Sequence, residues 1–204
     1  LGAKVLAIDI DDVSCRTTQL LADRFGCDNR ITVMQGSALE LAHGLGTFDV
    51  VYSWGVLHHT GSLWNAVDSA TRLVSEDSGS LLALALYRKT RLCPLWTVEK
   101  RFYSRSGPKI QRLIRAAYTH AYASGLFLSG RSVRSKRATY ISQRGMSLDH
   151  DIHDWLGGYP YESCMPREIE EFVQQRGFAL DREILVADEQ AVPLGIFGSG
   201  CDQF

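Results

Sequence analysis

The sequence predicts an α/β fold: a doubly wound, mostly parallel sheet with an antiparallel last strand, interrupted by a helical and basic insertion. Three observations carry that expectation. Apolar runs of strand length, Lys4–Ile10, Ile31–Met34, Phe48–Tyr52 and Leu81–Tyr87, alternate with segments whose apolar residues recur at helical spacing. Lys4–Ile10 and Val50–Tyr52 are near-continuous in apolar character, as strands buried on both faces of a parallel sheet are. Small and polar residues (Asp9, Gly36–Ala38, Ser53–Gly55) stand where these runs stop, at the rim where open α/β sheets bind ligands.

The 204 residues, 45% hydrophobic and with a formal charge of −1, suffice for one soluble domain with a real core, and residues 1–204 are read as one domain. No apolar run approaches the roughly twenty residues of a membrane-spanning helix, and no basic-then-apolar leader precedes Leu1, so a cytoplasmic protein is expected. The five cysteines (15, 27, 93, 164 and 201) form no CxxC pair, which argues for reduced thiols rather than a disulfide framework or zinc site.

The charge is balanced only in sum. From Arg88 to Arg144 fourteen Lys and Arg face the single acid Glu99, a net of +13, whereas the remainder carries a net of −14. Such asymmetry implies that the basic part faces something anionic: a substrate, a membrane surface, a nucleic acid or the acidic part of the chain itself.

In order, Lys4–Ile10 forms the first strand, and Asp11 or Asp12 caps a helix with Val13, Leu20, Leu21 and Phe25 as its apolar positions, ended by Gly26. Ile31–Met34 is the next strand and leads to Gly36. Glu40–Thr47 connects it to the central strand, which Asp49 opens and in which Val50, Val51 and Tyr52 are expected to be buried. A helix over 63–74, with Trp64, Val67, Ala70, Leu73 and Val74 on one face, packs on the sheet before the inner strand Leu81–Tyr87.

The succession Gly36-Ser37-Ala38, then FDVVYSWGVLHH from Phe48 to His59, then a helix, then a strand introduced by Gly79, resembles the class I S-adenosylmethionine-dependent methyltransferases. The resemblance covers about the first ninety residues well and the last forty loosely. It implies a Rossmann-like methyltransferase sheet and S-adenosyl-L-methionine as cofactor, held by Asp9 and Ile10, by Gly36, Ser37 and Ala38, and by Ser53, Trp54 and Gly55. From the residues alone, Asp9 either ends a strand or offers its carboxylate to both ribose hydroxyls. Where the family usually has an aspartate toward the adenine amino group, this chain has Ser37, a weaker acceptor.

The family's glycine-rich loop between its first strand and first helix has no counterpart here. The chain is therefore expected to be an N-terminally truncated form that binds the cofactor poorly. In the family the first strand lies between the second and fourth, so without it two strand edges lack partners unless they close on each other.

His58 and His59, at the strand-to-helix junction, are each read either as a structural histidine or as a base near the acceptor; no ligand spacing supports a metal. Tyr87 and Arg88, at the exit of the inner strand, are candidates for contacting the substrate. Residues 88–165 form a helical insertion or lid, and in the family such an insertion commonly covers the acceptor site. Within it, Ile110, Leu113, Ile114, Ala117, Tyr118, Ala121 and Tyr122 share one face of a helix starting at Pro108, with Lys109, Arg112 and Arg115 on the other. A packed lid with a solvated basic face, docking of residues 109–124 on an anionic membrane, and grip on a phosphate-bearing acceptor all fit this pattern.

Met146–Glu162 gathers Asp149, Asp151, Asp154, His150 and His153 beside Trp155 and Tyr159, read either as solvated acids before a GGYP turn or as a polar acceptor pocket supplying a base. A helix from Pro166 with Ile169, Phe172 and Val173 ends at Gly177; Phe178–Val186 and Leu194–Gly198 are expected to close the sheet as an antiparallel pair.

The implied chemistry is in-line methyl transfer to an oxygen or nitrogen of a small-molecule acceptor, which the basic insertion allows to be anionic, with His59, His153 and Asp154 as candidate bases and Trp155 and Tyr159 as substrate contacts beside Tyr87 and Arg88. Two other classes stay open. A nicotinamide-dependent oxidoreductase would need a GxGxxG or a Ser-Tyr-Lys set, neither of which is found. A catalytically silent adenosyl- or nucleic-acid-binding module would use the basic insertion as its contact surface, although no RNA-binding motif occurs there, and nucleic acid is the less favoured partner.

Overall fold

Strand β1 (Val5–Asp9) lies parallel to β2 (Ile31–Gln35), with Val5 opposite Ile31 and Asp9 opposite Gln35. The computed structural model describes residues 2–41, 44–130, 132–145, 147–186 and 200–204. Between the two strands runs helix α1 (Asp12–Arg24), and Asp11 is its N-cap, accepting the Ser14 N–H at 2.7 Å. That hydrogen bond holds the Asp11 carboxyl below its ordinary range.

The central strand β3 (Val50–Trp54) pairs in parallel with β4 (Leu81–Tyr87), and β4 pairs antiparallel with the short β5 (Cys201–Gln203). A 3₁₀ turn at Leu57–His59 and helix α2 (Leu63–Thr71) join β3 to β4. Helix α7 (Pro166–Gln174) starts with proline in its first turn, where a missing N–H costs nothing, and Glu168 reaches back to the Met165 N–H at 2.7 Å. Leu57, Leu63, Val67, Leu84, Leu86 and Ile169 close into one core that joins the sheet to α2 and α7. Full burial of each such side chain is worth about 1.5–3 kcal/mol.

The chain divides into two compact units. One is built from Leu1–Arg88, the segment from Cys164 and Gly200–Phe204; the other is Lys89–Ser163 together with residues outside the described set. The second unit is helical: α3 (Cys93–Arg105), α4 (Pro108–Leu128), α5 (Val133–Arg144) and α6 (Leu148–Gly157). Its core is Tyr103, Leu148, Ile152 and Leu156, with Ile114, Tyr118, Tyr122, Tyr140 and Trp155 packed around them. Among the described residues no helix is long and apolar enough to cross a membrane.

Several expectations need correction. Val50 and Tyr52, expected inside, are 56% and 65% exposed, and β1 contains no fully buried residue. β3 instead alternates, because among the described residues α2 and α7 pack against only one face of β3–β4, the face of Val51, Leu82, Leu84 and Leu86. Helix α1 forms as expected but buries Cys15 and Ala22, while Val13, Leu20 and Phe25 are exposed. The Cys15 thiol reaches the carbonyls of Asp9 and Met34 at 3.5 and 3.7 Å, which turns that face toward β1 and β2. The closing strand is 201–203; Phe178–Val186 contributes a single bridge, Ile184 to Gln203, and Leu194–Gly198 lies outside the described residues. Among the described residues β1 and β3 do not pair with each other, so the two parallel pairs form separate sheets with open edges.

Candidate functional site

In the first unit the parallel pairing places Asp9 and Gln35 side by side at the carboxyl ends of β1 and β2, and the Gly36 N–H donates to the Asp9 carbonyl at 2.9 Å. Asp9 Oδ1 accepts the Asp11 N–H at 2.9 Å, which orients the exposed carboxylate; Oδ2 has no hydrogen-bond partner among the described residues. Ile10 follows directly, 71% exposed, with its carbonyl accepting from Gln35 Nε2. The Ser37 hydroxyl accepts the Leu39 N–H at 3.3 Å, and Ala38 packs against the core cluster that contains Leu57 and Leu63. The 36–38 turn therefore touches Asp9 through its backbone and, through Ala38, the core that joins the sheet to α2 and α7.

Ser53 and Trp54 are the last residues of β3. Gly55 follows with φ of +76°, a left-handed conformation that favours glycine, and its N–H donates to the Ala85 carbonyl at 3.0 Å. Trp54 stacks on Tyr52 and lines a cavity of about 240 Å³ with Arg182, Glu183, Ile184, Gln203 and Phe204. Nothing in the sequence pattern marks Arg182 or Glu183 as its neighbours.

These groups fit the nucleoside end of an adenosyl cofactor. A carboxylate with one oxygen anchored and the other open, on the rim of a parallel pair, can accept from a ribose hydroxyl, and a small-residue turn beside it leaves room for a base.

At the exit of β4 the two histidines separate in role. His58 is fully buried and its Nδ1 accepts the Tyr87 N–H at 3.2 Å, tying the 3₁₀ turn to β4. His59 is half-buried, with its ring edge-on to Tyr87 at 5.4 Å, so His59 and Tyr87 adjoin. Arg88 is a correction. Expected to meet substrate, it is fully buried, with its Nε 2.6 Å and Nη2 3.1 Å from the Asp202 carboxylate. The side chain points into the fold because Asp202 on β5 compensates its charge there.

In the second unit a cavity of about 520 Å³ is lined by Tyr103, Ser104, Gln111, His153, Asp154 and Gly157. Two of the predicted bases, His153 and Asp154, meet there. The Tyr103 hydroxyl lies 2.7 Å from His153 Nδ1, and burial keeps that phenol above its ordinary pKa, hence a neutral hydroxyl at physiological pH. Tyr103, Ser104 and Gln111 were not picked out in the sequence; Tyr103 is one of eight tyrosines, and only the packing of α3 on α6 distinguishes it.

Trp155 is a second correction. It does not line this cavity. Successive helical residues diverge by about 100°, and its ring turns inward, 4.8 Å from Trp96 and 5.7 Å from Tyr118, with the Lys100 ammonium over it. Tyr159 follows α6, half-buried and outside the cavity lining, its N–H donating to the Gly157 carbonyl.

Glu99 and Lys100 form the charged interior of this unit. Lys100 is fully buried and donates to the Trp155 carbonyl; burial pushes its pKa down to about 8, against the opposing pull of Glu99. Burial raises the Glu99 carboxyl in turn. An ammonium whose pKa falls on folding lets the unfolded chain bind more protons between pH 8 and 10.5, so stability rises with pH across that window, and the penalty is fully present below it. The shift corresponds to roughly 3 kcal/mol. Lys100→Met is expected to flatten the alkaline limb of a melting-temperature profile between those pH values; an unchanged slope would contradict the buried ammonium.

A profile of the methyltransferase-domain family matches residues 1–82. Among solved structures the chain is similar to PKMT2 from Rickettsia typhi in complex with AdoHcy, at 14% identity and a TM-score of 0.53, over 91% of this chain and 35% of that one. It is also similar to the YcgJ protein from Bacillus subtilis, at 16% identity and a TM-score of 0.43, over 56% of this chain and 51% of that one. The chain thus spans about a third and about half of their lengths. At these identities the Rickettsia likeness shows the fold. No curated protein matches the sequence.

Proposed function

We propose that this chain, whose residues 1–82 match the methyltransferase-domain family, is a class I S-adenosylmethionine-dependent methyltransferase that transfers a methyl group to an oxygen or nitrogen of a small-molecule acceptor. The observation that carries the reading is the rim of the parallel pair, where the half-anchored Asp9 carboxylate adjoins the Gly36 turn inside the matched region. When bound, the cofactor supplies an electrophilic methyl on a sulfonium whose leaving group departs neutral.

The chain's own residues do the rest. Asp9 and Ile10 hold the ribose, Gly36, Ser37 and Ala38 the adenine, and Ser53, Trp54 and Gly55 the rim beside them. Within the second unit, the polar cavity holds two candidate bases, His153 and Asp154. In the tautomer that donates Nδ1–H to the Tyr103 oxygen, His153 keeps Nε2 able to act as a base, and Tyr103 is a positioning residue. Asp154 lies on the same cavity wall. His59, adjoining Tyr87, is the corresponding candidate in the first unit.

The test is methyl transfer from S-[methyl-³H]adenosylmethionine to a panel of small hydroxyl and amine acceptors, compared between wild type, His153→Ala and His59→Ala. Removal of a working base is expected to lower kcat by about 10²–10⁴-fold. Equal turnover by His153→Ala would move the base elsewhere, and no transfer to any acceptor by a wild-type chain that binds S-adenosylhomocysteine would overturn the proposal.

A further inference from the structure

Helix α4 has three faces rather than two. Ile114, Tyr118, Tyr122 and the buried Leu126 turn inward. Ile110, Leu113, Ala117 and Ala121, which the spacing alone assigned to the same face, are exposed, as is Leu128, Leu113 by 71% and Leu128 by 84%. At 100° per residue these five fall within roughly 80° of arc. The neighbouring arc on the side away from the core carries Lys109, Arg112 and Phe127, all exposed.

Helix α3 repeats this arrangement. Trp96, Glu99, Lys100 and Tyr103 face inward, Leu95, Val98 and Phe102 form an exposed apolar stripe, and Arg101 and Arg105 flank it, also exposed. The two helices adjoin through the Gln111 side chain, which donates to the Tyr103 carbonyl.

An uncovered apolar stripe on one helix would say nothing about what covers it. Here the stripes sit in the segment where fourteen basic residues meet one acid, and that acid, Glu99, is turned inward. A stripe of Leu, Ile and Phe bordered by Lys and Arg is the chemistry of a helix lying in the plane of a bilayer, apolar side chains among acyl chains and cations among the headgroups. A nucleic acid would use the cations but not the leucines. A second copy of the chain would bring a second basic field against the first.

We propose that the exposed stripes of α3 and α4, with their flanking Lys and Arg, form a docking surface for an anionic lipid bilayer. This is independent of the methyl-transfer reading.

The test is co-sedimentation of the full chain with phosphatidylcholine vesicles containing or lacking about 30% phosphatidylglycerol. The chain is expected to sediment with the anionic vesicles and to lose at least about tenfold in affinity on plain phosphatidylcholine or in about 0.5 M NaCl. Leu113→Asp with Leu128→Asp is expected to lose about tenfold or more with an unchanged circular dichroism spectrum, since both side chains lie outside the core. Lys109→Gln with Arg112→Gln is expected to lose about fivefold per charge.

Failure to bind anionic vesicles, or binding indifferent to the Leu113 and Leu128 changes, overturns the proposal. So does a salt-sensitive affinity for single-stranded RNA that the aspartates leave intact while vesicle binding stays weak, which would make nucleic acid the partner. A dimer that the aspartates dissociate without altering vesicle binding would assign the stripes to a second copy.

Discussion

Asp202→Ala is expected to cost about 3–5 kcal/mol of folding stability, the loss usual for removing one partner of a buried ion pair. The carboxylate lies on β5 with Oδ1 accepting from Arg88 Nη2 at 3.1 Å and from the Val186 N–H at 2.9 Å, while Oδ2 meets Arg88 Nε at 2.6 Å. Both side chains are all but sealed from water, at 1% and 2% exposure, so screening gives no relief. Without Asp202 a guanidinium stays in the core with its charge uncompensated, and the segment leading to Val186 keeps the Ile184–Gln203 bridge but loses its side-chain tie to β5. The pair itself is a poor source of net stability, because desolvation offsets much of its attraction. Arg88→Met combined with Asp202→Leu is therefore expected to sit much closer to wild type than Asp202→Ala alone. Urea unfolding of the three proteins measures this; a single-mutant loss below about 1 kcal/mol would mean that water reaches the pair.

Arg88 illustrates what sequence could not say. A basic residue at the exit of an inner strand, on the ligand side of the sheet, reads as a substrate contact, and its partner lies 114 residues away in a three-residue strand with no pattern of its own. Elements with strong internal signals were legible. β4 runs from Leu81 to Tyr87 as its apolar run implies, α4 starts at Pro108, α7 at Pro166, and Asp11 caps α1.

Which face of an element finds a neighbour was less legible, because periodicity reports that apolar residues are aligned, not what lies opposite them. Val13, Leu20 and Phe25 align on α1, yet Cys15 and Ala22 are the side chains that the sheet covers. On α4 two adjacent apolar arcs read as one stripe until Ile114 and Tyr118 were seen to pack inward and Leu113 outward. The same limit applied to the site. His153 and Asp154 were recognisable as a base and an acid in a glycine-bounded run, and Asp9 as a carboxylate ending a strand. Tyr103, on whose hydroxyl the orientation of His153 depends, comes from a different helix fifty residues earlier.

Asp9→Ala is expected to weaken binding of S-adenosylhomocysteine by about 10- to 150-fold. A hydrogen bond to a charged acceptor is worth about 1.5–3 kcal/mol, and in this reading the ribose hydroxyls have the open Oδ2 as their charged acceptor. Asp9→Asn separates charge from position. It keeps an oxygen able to accept the Asp11 N–H, and so preserves the entry to α1, but replaces the carboxylate with a neutral amide. An intermediate loss is therefore expected, smaller than for alanine. Calorimetric titration of the full chain with S-adenosylhomocysteine gives the affinities, and thermal melts without ligand show whether α1 has loosened. Cofactor affinity unchanged by Asp9→Ala, with the fold intact, would remove the ribose from the rim of β1 and with it the geometric basis for reading this edge of the sheet as the adenosyl site. A loss in Asp9→Ala matched by an equal loss in Asp9→Asn would instead show that charge, rather than the placement of an acceptor oxygen, decides the affinity.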